Sequence, residues 1–352
     1  MKLTAAQLTI KRANTWKLLS LLALLLFTFV ILVTIENLLV SSLVAFVISY
    51  TLAPFVSTLE RQGWPRGRAT VVVFLAVGVL LVGFGFWLFP YLGRTLSGLQ
   101  GDMPHYIQGL GQFITELESR IRSIAGPLAN FDVTGKVEAQ LTQWTQDFFD
   151  RLPTFLKSFF TVMLLGPFLA YFMVKDGRAV VNVVLGLVPN PVFEAALSLV
   201  HQINMQIGQF VRARILESLI VGLVTAIGLL VIGFPYAVLL GVIAGLTNFI
   251  PYLGPLMGAV PAFLIALVNG QTGLAIVLVA LVYVVAQLID AGLLIPVLVA
   301  KIVDLHPVTV IVVIIAGAQL LGVLGMIISI PVASTLKVTF TTLYKHLTDT
   351  GS

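Results

Sequence analysis

The hydrophobic positions of this chain gather in six windows, each long enough to form a membrane-spanning helix. A transmembrane helix needs about 20 mostly apolar residues to cross roughly 30 Å of hydrocarbon. Stretches close to or above this length occur at residues 15–35, 38–59, 69–92, 158–174, 215–232 and 273–299. The pattern predicts an all-α, polytopic membrane protein with about six full transmembrane helices.

Three further stretches place apolar residues at helical spacing beside charged or amide residues, which is typical of amphipathic helices. Two of them, 103–124 and 137–148, lie between the third and fourth predicted spans. The other, 191–211, precedes the fifth predicted span. We expect the first two to form a small external segment, and the last to lie at the cytoplasmic interface or to pack on the bundle.

Proline and glycine interrupt the apolar region between the fifth and sixth spans, in NFIPYLGPLMGAVPA at 248–262. A helix over residues 236–249 would be about 21 Å long, which is shorter than the hydrocarbon core. The apolar stretch that follows, 256–268, is as short. We therefore predict a re-entrant hairpin that turns at 251–255. The alternative is a kinked span whose prolines only set its packing.

A second pair of short apolar halves, 308–321 and 326–336, is separated by GVLG at 322–325. Each pair follows a full span, and the flanking basic residues predict that the two hairpins enter from opposite faces. A span plus a hairpin, repeated in opposite orientation, is the inverted repeat common in secondary transporters. The predicted fold is therefore six spans and two re-entrant helical hairpins in an inverted repeat, with amphipathic extramembrane helices.

The composition of the chain agrees with a membrane protein. Of its 352 residues, 59% are hydrophobic and 10% are charged, whereas soluble domains have roughly 25% charged residues. The net charge of +5 reflects topology rather than nucleic-acid binding, because the basic residues gather in the loops that the positive-inside rule assigns to the cytoplasm. We expect a multi-pass protein of the cell membrane with a cytoplasmic N-terminus and no nucleic-acid partner.

Asp290 is the strongest functional candidate because it lies deep in the sixth apolar window. A carboxylate there costs several kcal/mol unless it is paired, hydrated or protonated. Gln287 and Tyr283 lie on the same helix face, so one stripe combines an amide, a phenol and a carboxyl group. The stripe could bind a polar solute or exchange a proton for a cation. An interhelical hydrogen-bond clamp is the alternative.

The two turns supply further candidates, because broken helices at membrane depth must line protein or water. The uncharged residues expected as ligands at the tips, with helix capping as their alternative role, are Asn248, Tyr252 and Gln319. The residues expected to bend the hairpins or act as hinges are Pro251, Gly254, Pro255, Pro296, Gly322 and Gly325.

Charged residues also cluster at the start of the fifth span, at Arg212, Arg214 and Glu217. Their separations from Glu217, five and three residues, favour an ion pair. We expect this pair to act either as a gate or as a solvated anchor at the cytoplasmic surface.

Motifs of several enzyme and pump classes do not occur in the sequence. It contains no H-E-x-x-H, G-x-x-x-x-G-K-[ST] or G-x-S-x-G, so the parts of a metalloprotease, an ATP-driven pump and a serine hydrolase are missing. Four histidines and no cysteine disfavour a metal cage. We expect no enzyme activity and no cofactor beyond a coupling ion, either a proton or sodium.

Two stretches carry a resemblance to a known family. They are GFPYAVLLGVIAGLTNFIPYLGPLMGAVPA at 233–262 and QLIDAGLLIPVLVAKIVDLHPVTVIVVIIAGAQLLGVLGMIISIPVAS at 287–334. Both resemble the autoinducer-2 exporter (AI-2E) family of prokaryotic membrane transporters, and the layout of spans and hairpins extends the resemblance over most of the chain. The matching positions are Asn248, Pro251, Tyr252, Gly254, Pro255, Gln287, Asp290, Pro296, Leu305, His306, Pro307, Gly322, Gly325 and Pro331.

The chain departs from the family pattern at two places. Ala291 follows Asp290 where the family often has Asn, and Arg212 begins an Arg-Ala-Arg where the family often has Arg-Gly-Gln. The first departure replaces a candidate polar ligand with alanine, so the resemblance does not identify the substrate of this chain. The resemblance implies export of a small furanone-type signal or exchange of cations for protons.

Together these features predict a secondary active transporter that moves a small polar solute or signal molecule by alternating access. The alternatives are a monovalent cation/proton antiporter that uses Asp290, a passive channel, and a non-transporting scaffold. We expect the chain to lie in a lipid bilayer as a homo-oligomer. The expected divisions are a scaffold of spans at 1–92, an external segment at 93–157, the fourth span and cytoplasmic helix at 158–214, a transport core at 215–341 and a cytoplasmic tail at 342–352.

Overall fold

The structure is a computed structural model that describes residues 19, 22–24, 26–28, 30–125, 134–186, 188, 193–250, 254–269, 273–299 and 305–349. Within these ranges the chain is helical apart from short turns, and no strand occurs. The all-α class is therefore confirmed. The elements are α1 (Leu38–Arg61), α2 (Arg66–Ala125), α3 (Thr134–Gly186), α4 (Phe193–Val231), α5 (Ala237–Thr247), α6 (Gly254–Val268), α7 (Gly273–Ile289), a π-helix (Asp290–Val299) and α8 (Pro307–Asp349).

Five of the described helices are long and apolar enough to cross a membrane: α1, α2, α3, α4, and α7 with most of the π-helix. Their outer faces stay apolar, since Phe86 of α2 is 80% exposed and Leu164 of α3 is 75% exposed. Many other large apolar side chains of these helices are exposed as well. Such a surface requires lipid rather than water around it. The chain is a multi-pass membrane protein. The first predicted span, 15–35, lies partly outside the described residues.

Several predicted boundaries between spans and amphipathic segments fall inside continuous helices. The third span and the first external stretch form the 60-residue α2, which contains both Pro90 and Pro104. The second external stretch continues into the fourth span as α3, and the predicted cytoplasmic helix continues into the fifth span as α4. A change from an all-apolar to an amphipathic pattern reflects different surroundings along a helix. The backbone hydrogen bonds can continue unbroken through such a change. At these points each amphipathic stretch therefore forms one helix with the neighbouring span.

The described residues belong to two compact units. One takes its residues from 1–79, 157–212 and 302–352, and the other from 80–156 and 213–301. The first unit has a core formed by Leu52, Val56, Ala69, Val73 and Val174. The core of the second includes Tyr106, Leu229, Phe234, Leu240, Ile265 and Val279. The stretch expected as a transport core, 215–341, contributes to both units, and its separate role stays a prediction.

The chain turns back on itself at the first predicted break. A Cβ built on Gly258 of α6 would lie 3.0 Å from the Cβ of Ala244 in α5. Along one straight helix these two residues would be about 21 Å apart, so α5 and α6 lie side by side as a hairpin. Thr247 donates from Oγ1 to the carbonyl oxygen of Gly254 at 3.2 Å and helps to close the turn. The predicted Pro251 and Tyr252 lie outside the described residues.

The second predicted break is also a reversal of the chain. Gly322 has φ 62° and ψ −140°, a backbone conformation that residues with a Cβ rarely adopt. After this residue the backbone of Gly325 packs against that of Gly317, and a Cβ on Gly317 would lie 3.1 Å from the Cβ of Ser329. Thus α8 consists of two halves folded together at Gly322. The membrane face from which each hairpin enters stays a prediction.

Glycines bring α4 and α5 into backbone contact within the second unit. A Cβ on Gly222 of α4 would lie 3.1 Å from both the carbonyl oxygen of Gly241 and the Cα of Gly245 in α5. Small residues four apart allow such close packing between membrane helices. At the other end of α5, the hydroxyl of Tyr236 donates to Asp102 of α2. These contacts hold the first hairpin in place and set the position of the residue at its tip, Asn248.

Candidate functional site

Four polar side chains meet in the interior of the second unit, and together they are called the acidic cluster here. Arg214 and Glu217 come from α4, Asn248 is the C-cap that follows α5, and Asp290 begins the π-helix. Each of the four residues is at most 4% exposed. Burial of charge to this degree in a membrane protein is costly and marks the cluster as a candidate site.

Arg214 and Glu217 form a buried ion pair, with 2.5 Å between Nη1 and Oε1. Their separation of three residues places both side chains on one helix face. The pair is thus not the solvated surface anchor that the sequence left open as an alternative. Breaking a buried pair by removing one partner is strongly destabilising because it leaves an uncompensated charge.

Glu217 and Asp290 are close enough in the acidic cluster for their carboxyl groups to interact electrostatically. The sequence alone places these residues in separate groups, one at the start of a span and the other deep inside another. Two ionised carboxylates only accept hydrogen bonds, so a direct bond between these two groups requires that one of them carry a proton. The structure therefore brings together a carboxyl pair that can share a proton.

Asn248 connects the first hairpin to this carboxyl pair. Its Nδ2 donates to Oδ1 of Asp290 at 3.4 Å. Gly254, the first residue of α6, permits the arrangement because a Cβ there would lie 2.5 Å from Oδ1 and 2.7 Å from Cα of Asn248. The break in the hairpin therefore places an amide against a buried carboxylate, and glycine is required where α6 begins.

The helix that carries Asp290 changes its winding at that residue. α7 ends at Ile289, and the π-helix that follows runs to Val299 and contains the exposed Pro296. Segments of π-helix are rare and frequently occur at functional sites. The wider winding begins at the buried carboxylate itself, so the backbone irregularity and the acidic side chain mark the same position.

The other two members of the predicted stripe on α7 differ in their surroundings. The hydroxyl of Tyr283 donates to the carbonyl oxygen of Gly258 in α6 at 2.7 Å. This bond clamps α7 to the hairpin, which is the alternative role that the sequence left open for the stripe. Gln287 is half-buried, one turn before Asp290. Only Asp290 of the three belongs to the acidic cluster.

Several buried oxygen atoms in the second unit have no hydrogen-bond partner among the residues that the structure describes. They are Oε2 of Glu217, Oδ1 of Asn248, Oγ of Ser218 and Oγ1 of Thr225. A buried polar atom left without a partner costs about 1–3 kcal/mol, so these atoms are suited to bind water, an ion or a solute. Ser218 and Thr225 were missed in the sequence, although their separation of seven residues within an apolar span puts them on one helix face.

Two other predicted residues, Arg212 and Gln319, lie in the first unit. Arg212 donates from Nη1 to the carbonyl oxygen of Tyr50 in α1 at 3.1 Å. A separation of five residues turns it about 140° away from Glu217 around the helix, which explains why it forms this different contact. Gln319 is exposed on α8, three residues before Gly322. In the described part of the chain, no group of three His, Cys, Asp or Glu side chains is arranged to hold a metal ion.

The sequence is similar to those of membrane transporters over nearly its whole length. The family model described as AI-2E family transporter matches residues 19–345. The chain is 28% identical over 331 residues to PerM of Escherichia coli (strain K12), provisionally named a permease, and 93% of each chain is covered. It is 26% identical over 313 residues to YrrI of Bacillus subtilis (strain 168), provisionally named a transport protein, with 86% of each chain covered. The family model covers nearly the whole of this polytopic membrane protein, including the buried charged cluster. The chain therefore belongs to the AI-2E family of transporters.

Proposed function

We propose that the chain is a secondary active transporter in which the acidic cluster exchanges a proton for a monovalent cation. The charge of the buried cluster is the observation that carries this proposal. Two ionised carboxylates and one guanidinium sum to −2 + 1 = −1 at a site where each group is almost completely buried. An uncompensated buried charge is unfavourable. One proton or one monovalent cation restores the balance.

The proton has a defined place in this scheme. In this proposal the proton is shared by Glu217 and Asp290, whose carboxyl groups interact electrostatically in the cluster and can form a hydrogen bond only when one of them is protonated. When the proton leaves, the two carboxylates repel each other and attract a cation in its place. Occupation by the proton and by the cation is therefore mutually exclusive, which is the requirement for exchange.

The cation also has oxygen ligands available. Oε2 of Glu217 and Oδ1 of Asn248 are buried without a protein partner among the described residues. Carboxylate and amide oxygens are the ligands that hard cations prefer. The same two acceptors could instead bind the hydroxyl groups of a small polar solute or signal molecule, so a proton-coupled solute carrier is the second candidate.

The two hairpins supply the moving parts in this proposal. Broken helices whose tips approach the midplane from opposite faces permit alternating access in secondary transporters. Asn248 ends the first half-helix of one hairpin and contacts Asp290, so occupation of the cluster and the position of that hairpin are coupled. We further propose a homo-oligomer in the cell membrane with a cytoplasmic N-terminus, working without a bound cofactor.

Purified protein in liposomes that contain a pH-sensitive dye tests the proposal. An imposed sodium or potassium gradient should drive a saturable proton flux in the opposite direction. Asp290→Asn and Glu217→Gln should each abolish this flux, because either change removes one of the two carboxyl groups. Glu36→Gln is the matched control, since this exposed carboxyl group lies in the turn before α1 and its loss should leave the flux unchanged.

Other outcomes would support other functions. A flux that rises linearly with the gradient, never saturates and is unchanged in Asp290→Asn would identify a passive channel. Proton movement that requires a polar metabolite and ignores sodium and potassium would identify the solute carrier. No flux for cations or for a panel of small polar metabolites, together with a protein that co-purifies through residues 103–150, would identify a scaffold.

A further inference from the structure

An open depression of about 740 Å³ lies in the first unit, where α2 begins beside α3. Its walls combine two cations, two aromatic rings and an apolar strip. The cations are Arg68 and Lys175, the rings are those of Trp64 and Tyr171, and the strip is formed by Val71 and Val72. The acidic cluster plays no part in this depression, because its residues belong to the other unit.

The start of α2 contributes positive charge to the depression. The first backbone N–H groups of a helix have no partner within it, and the helix dipole makes this end positive. Acidic residues usually stabilise such an end, but the first turn of α2 contains none and holds Arg66 and Arg68 instead. A Cβ on Gly67, between them, would meet nothing within 4 Å. The backbone is therefore open to a ligand at the most positive point of the helix.

The neighbouring Arg66 has a structural role that positions the depression. Its Nε and Nη2 donate to the carbonyl oxygen of Val174 in α3 at 2.9 and 2.6 Å. Its Nη1 pairs with Glu60 at 3.2 Å, and Glu60 also pairs with Arg178 at 3.1 Å. These contacts hold α3 against the start of α2 and bring Lys175 to the depression. They also engage the carboxylate of Glu60 with two other cations.

The two cations of the depression are open to a ligand. The Nζ of Lys175 lies 5.7 Å from the ring centroid of Tyr171. Both Arg68 and Lys175 are exposed. Neither forms a salt bridge with an acidic residue in the part of the chain that the structure describes. Two exposed cations and a positive helix end at one depression therefore create a local excess of positive charge.

We propose that this depression binds the phosphate group of an anionic phospholipid. A guanidinium matches the geometry of a phosphate through two parallel hydrogen bonds, and an ammonium adds a point charge. Trp and Tyr side chains favour the membrane interface, and basic pockets between helices on the cytoplasmic side recognise anionic headgroups. Val71 and Val72 are 40% and 43% exposed, so an acyl chain can cover them while the headgroup contacts Arg68 and Lys175.

Lipid titration of the purified full-length protein, followed by native mass spectrometry, tests the proposal. The protein is held in an uncharged detergent and titrated with phosphatidylglycerol or with phosphatidylcholine of the same acyl chains. The wild-type protein should bind phosphatidylglycerol more tightly. Arg68→Gln and Lys175→Gln should each weaken phosphatidylglycerol binding about fivefold, which corresponds to about 1 kcal/mol for a basic residue near an anionic surface. Binding of phosphatidylcholine should not change.

Two controls distinguish binding at this site from nonspecific attraction of the anionic lipid to positive charge. Arg61→Gln removes an exposed cation that does not line the depression, and its effect should stay below twofold. Arg68→Lys keeps the charge and should retain most of the binding. Equal binding of the two lipids by the wild-type protein, or equal losses in Arg61→Gln and Arg68→Gln, would overturn the proposal. Displacement of phosphatidylglycerol by millimolar inorganic phosphate would overturn the proposal that the bound phosphate group belongs to a lipid. The depression would then be a site for free phosphate.

Discussion

Asn248 donates a hydrogen bond to Asp290 across 42 residues of sequence, with 3.4 Å between Nδ2 and Oδ1. The bond joins the tip of the first hairpin to the residue at which α7 gives way to the π-helix. A change in the position of the hairpin therefore changes the polar surroundings of the buried carboxylate. In the proposed transporter, binding at the acidic cluster would be linked to movement of the hairpin through this contact.

Replacing Asn248 with Ala should reduce proton-coupled flux about tenfold. A hydrogen bond to a charged group contributes about 1.5–3 kcal/mol, and the lower end suits a bond of this length. Liposome flux assays at several cation concentrations provide the measurement. Asn269→Ala, at an exposed position after α6, is the matched control and should behave as the wild-type protein. A normal rate in Asn248→Ala would remove the amide from the site.

Gly254→Ala should lower both the stability of the protein and its flux. The added methyl group would lie 2.6 Å from Cβ and 2.7 Å from Cα of Asn248, and overpacking of this kind costs about 1–3 kcal/mol. Thermal unfolding in detergent and liposome flux measure the two effects. Gly273→Ala places the same methyl group in open space. If both variants melt at the wild-type temperature, the close approach at Gly254 is not a constraint.

Tyr283→Phe should reduce stability without changing the pH dependence of transport. The hydroxyl donates to the carbonyl oxygen of Gly258, and loss of one such hydrogen bond costs about 1 kcal/mol. Thermal unfolding should show the cost, while the pH profile of the flux should match that of the wild-type protein. A shifted profile, or a weaker apparent affinity for the cation, would instead make the phenol a ligand.

Gly322→Ala should destabilise the second hairpin. Its φ of 62° with ψ of −140° is costly for any residue with a Cβ, by about 1–3 kcal/mol. The variant should unfold at a lower temperature than the wild-type protein in the same detergent. Gly83→Ala is the control, because Gly83 lies within α2 with nothing near its Cβ position, and alanine favours a helix there. Equal melting temperatures of the two variants would contradict the role of Gly322.

The candidate status of Asp290 and Asn248 could be predicted from the sequence, because a charged or amide side chain in an apolar window is costly wherever it meets lipid. The two reversals could also be predicted, since their half-helices are too short to span. The contact between Glu217 and Asp290 could not, because it joins helices that are distant in the chain. Local spacing relates Glu217 only to Arg214, which lies on the same helix face.

Helix boundaries were less predictable than helix positions. The sequence predicts that the third span ends at residue 92 and that a separate amphipathic helix covers 103–124. The structure continues the helix to Ala125. Periodicity reports which side of a helix meets water, lipid or protein, whereas a helix ends only where its backbone hydrogen bonds end. A proline is accommodated inside α2 at Pro90, so even a breaker near the predicted boundary does not end this helix.

The charge count of the acidic cluster has an electrical consequence for the proposed exchange. A site that carries one proton in one direction and one monovalent cation in the other has the same net charge on both crossings. Such a cycle moves no net charge, so a membrane potential, worth about 2.3 kcal/mol per elementary charge per 100 mV, does no work on it. The concentrations of the two ions alone would then set the direction of transport, and the voltage across the membrane would leave it unchanged.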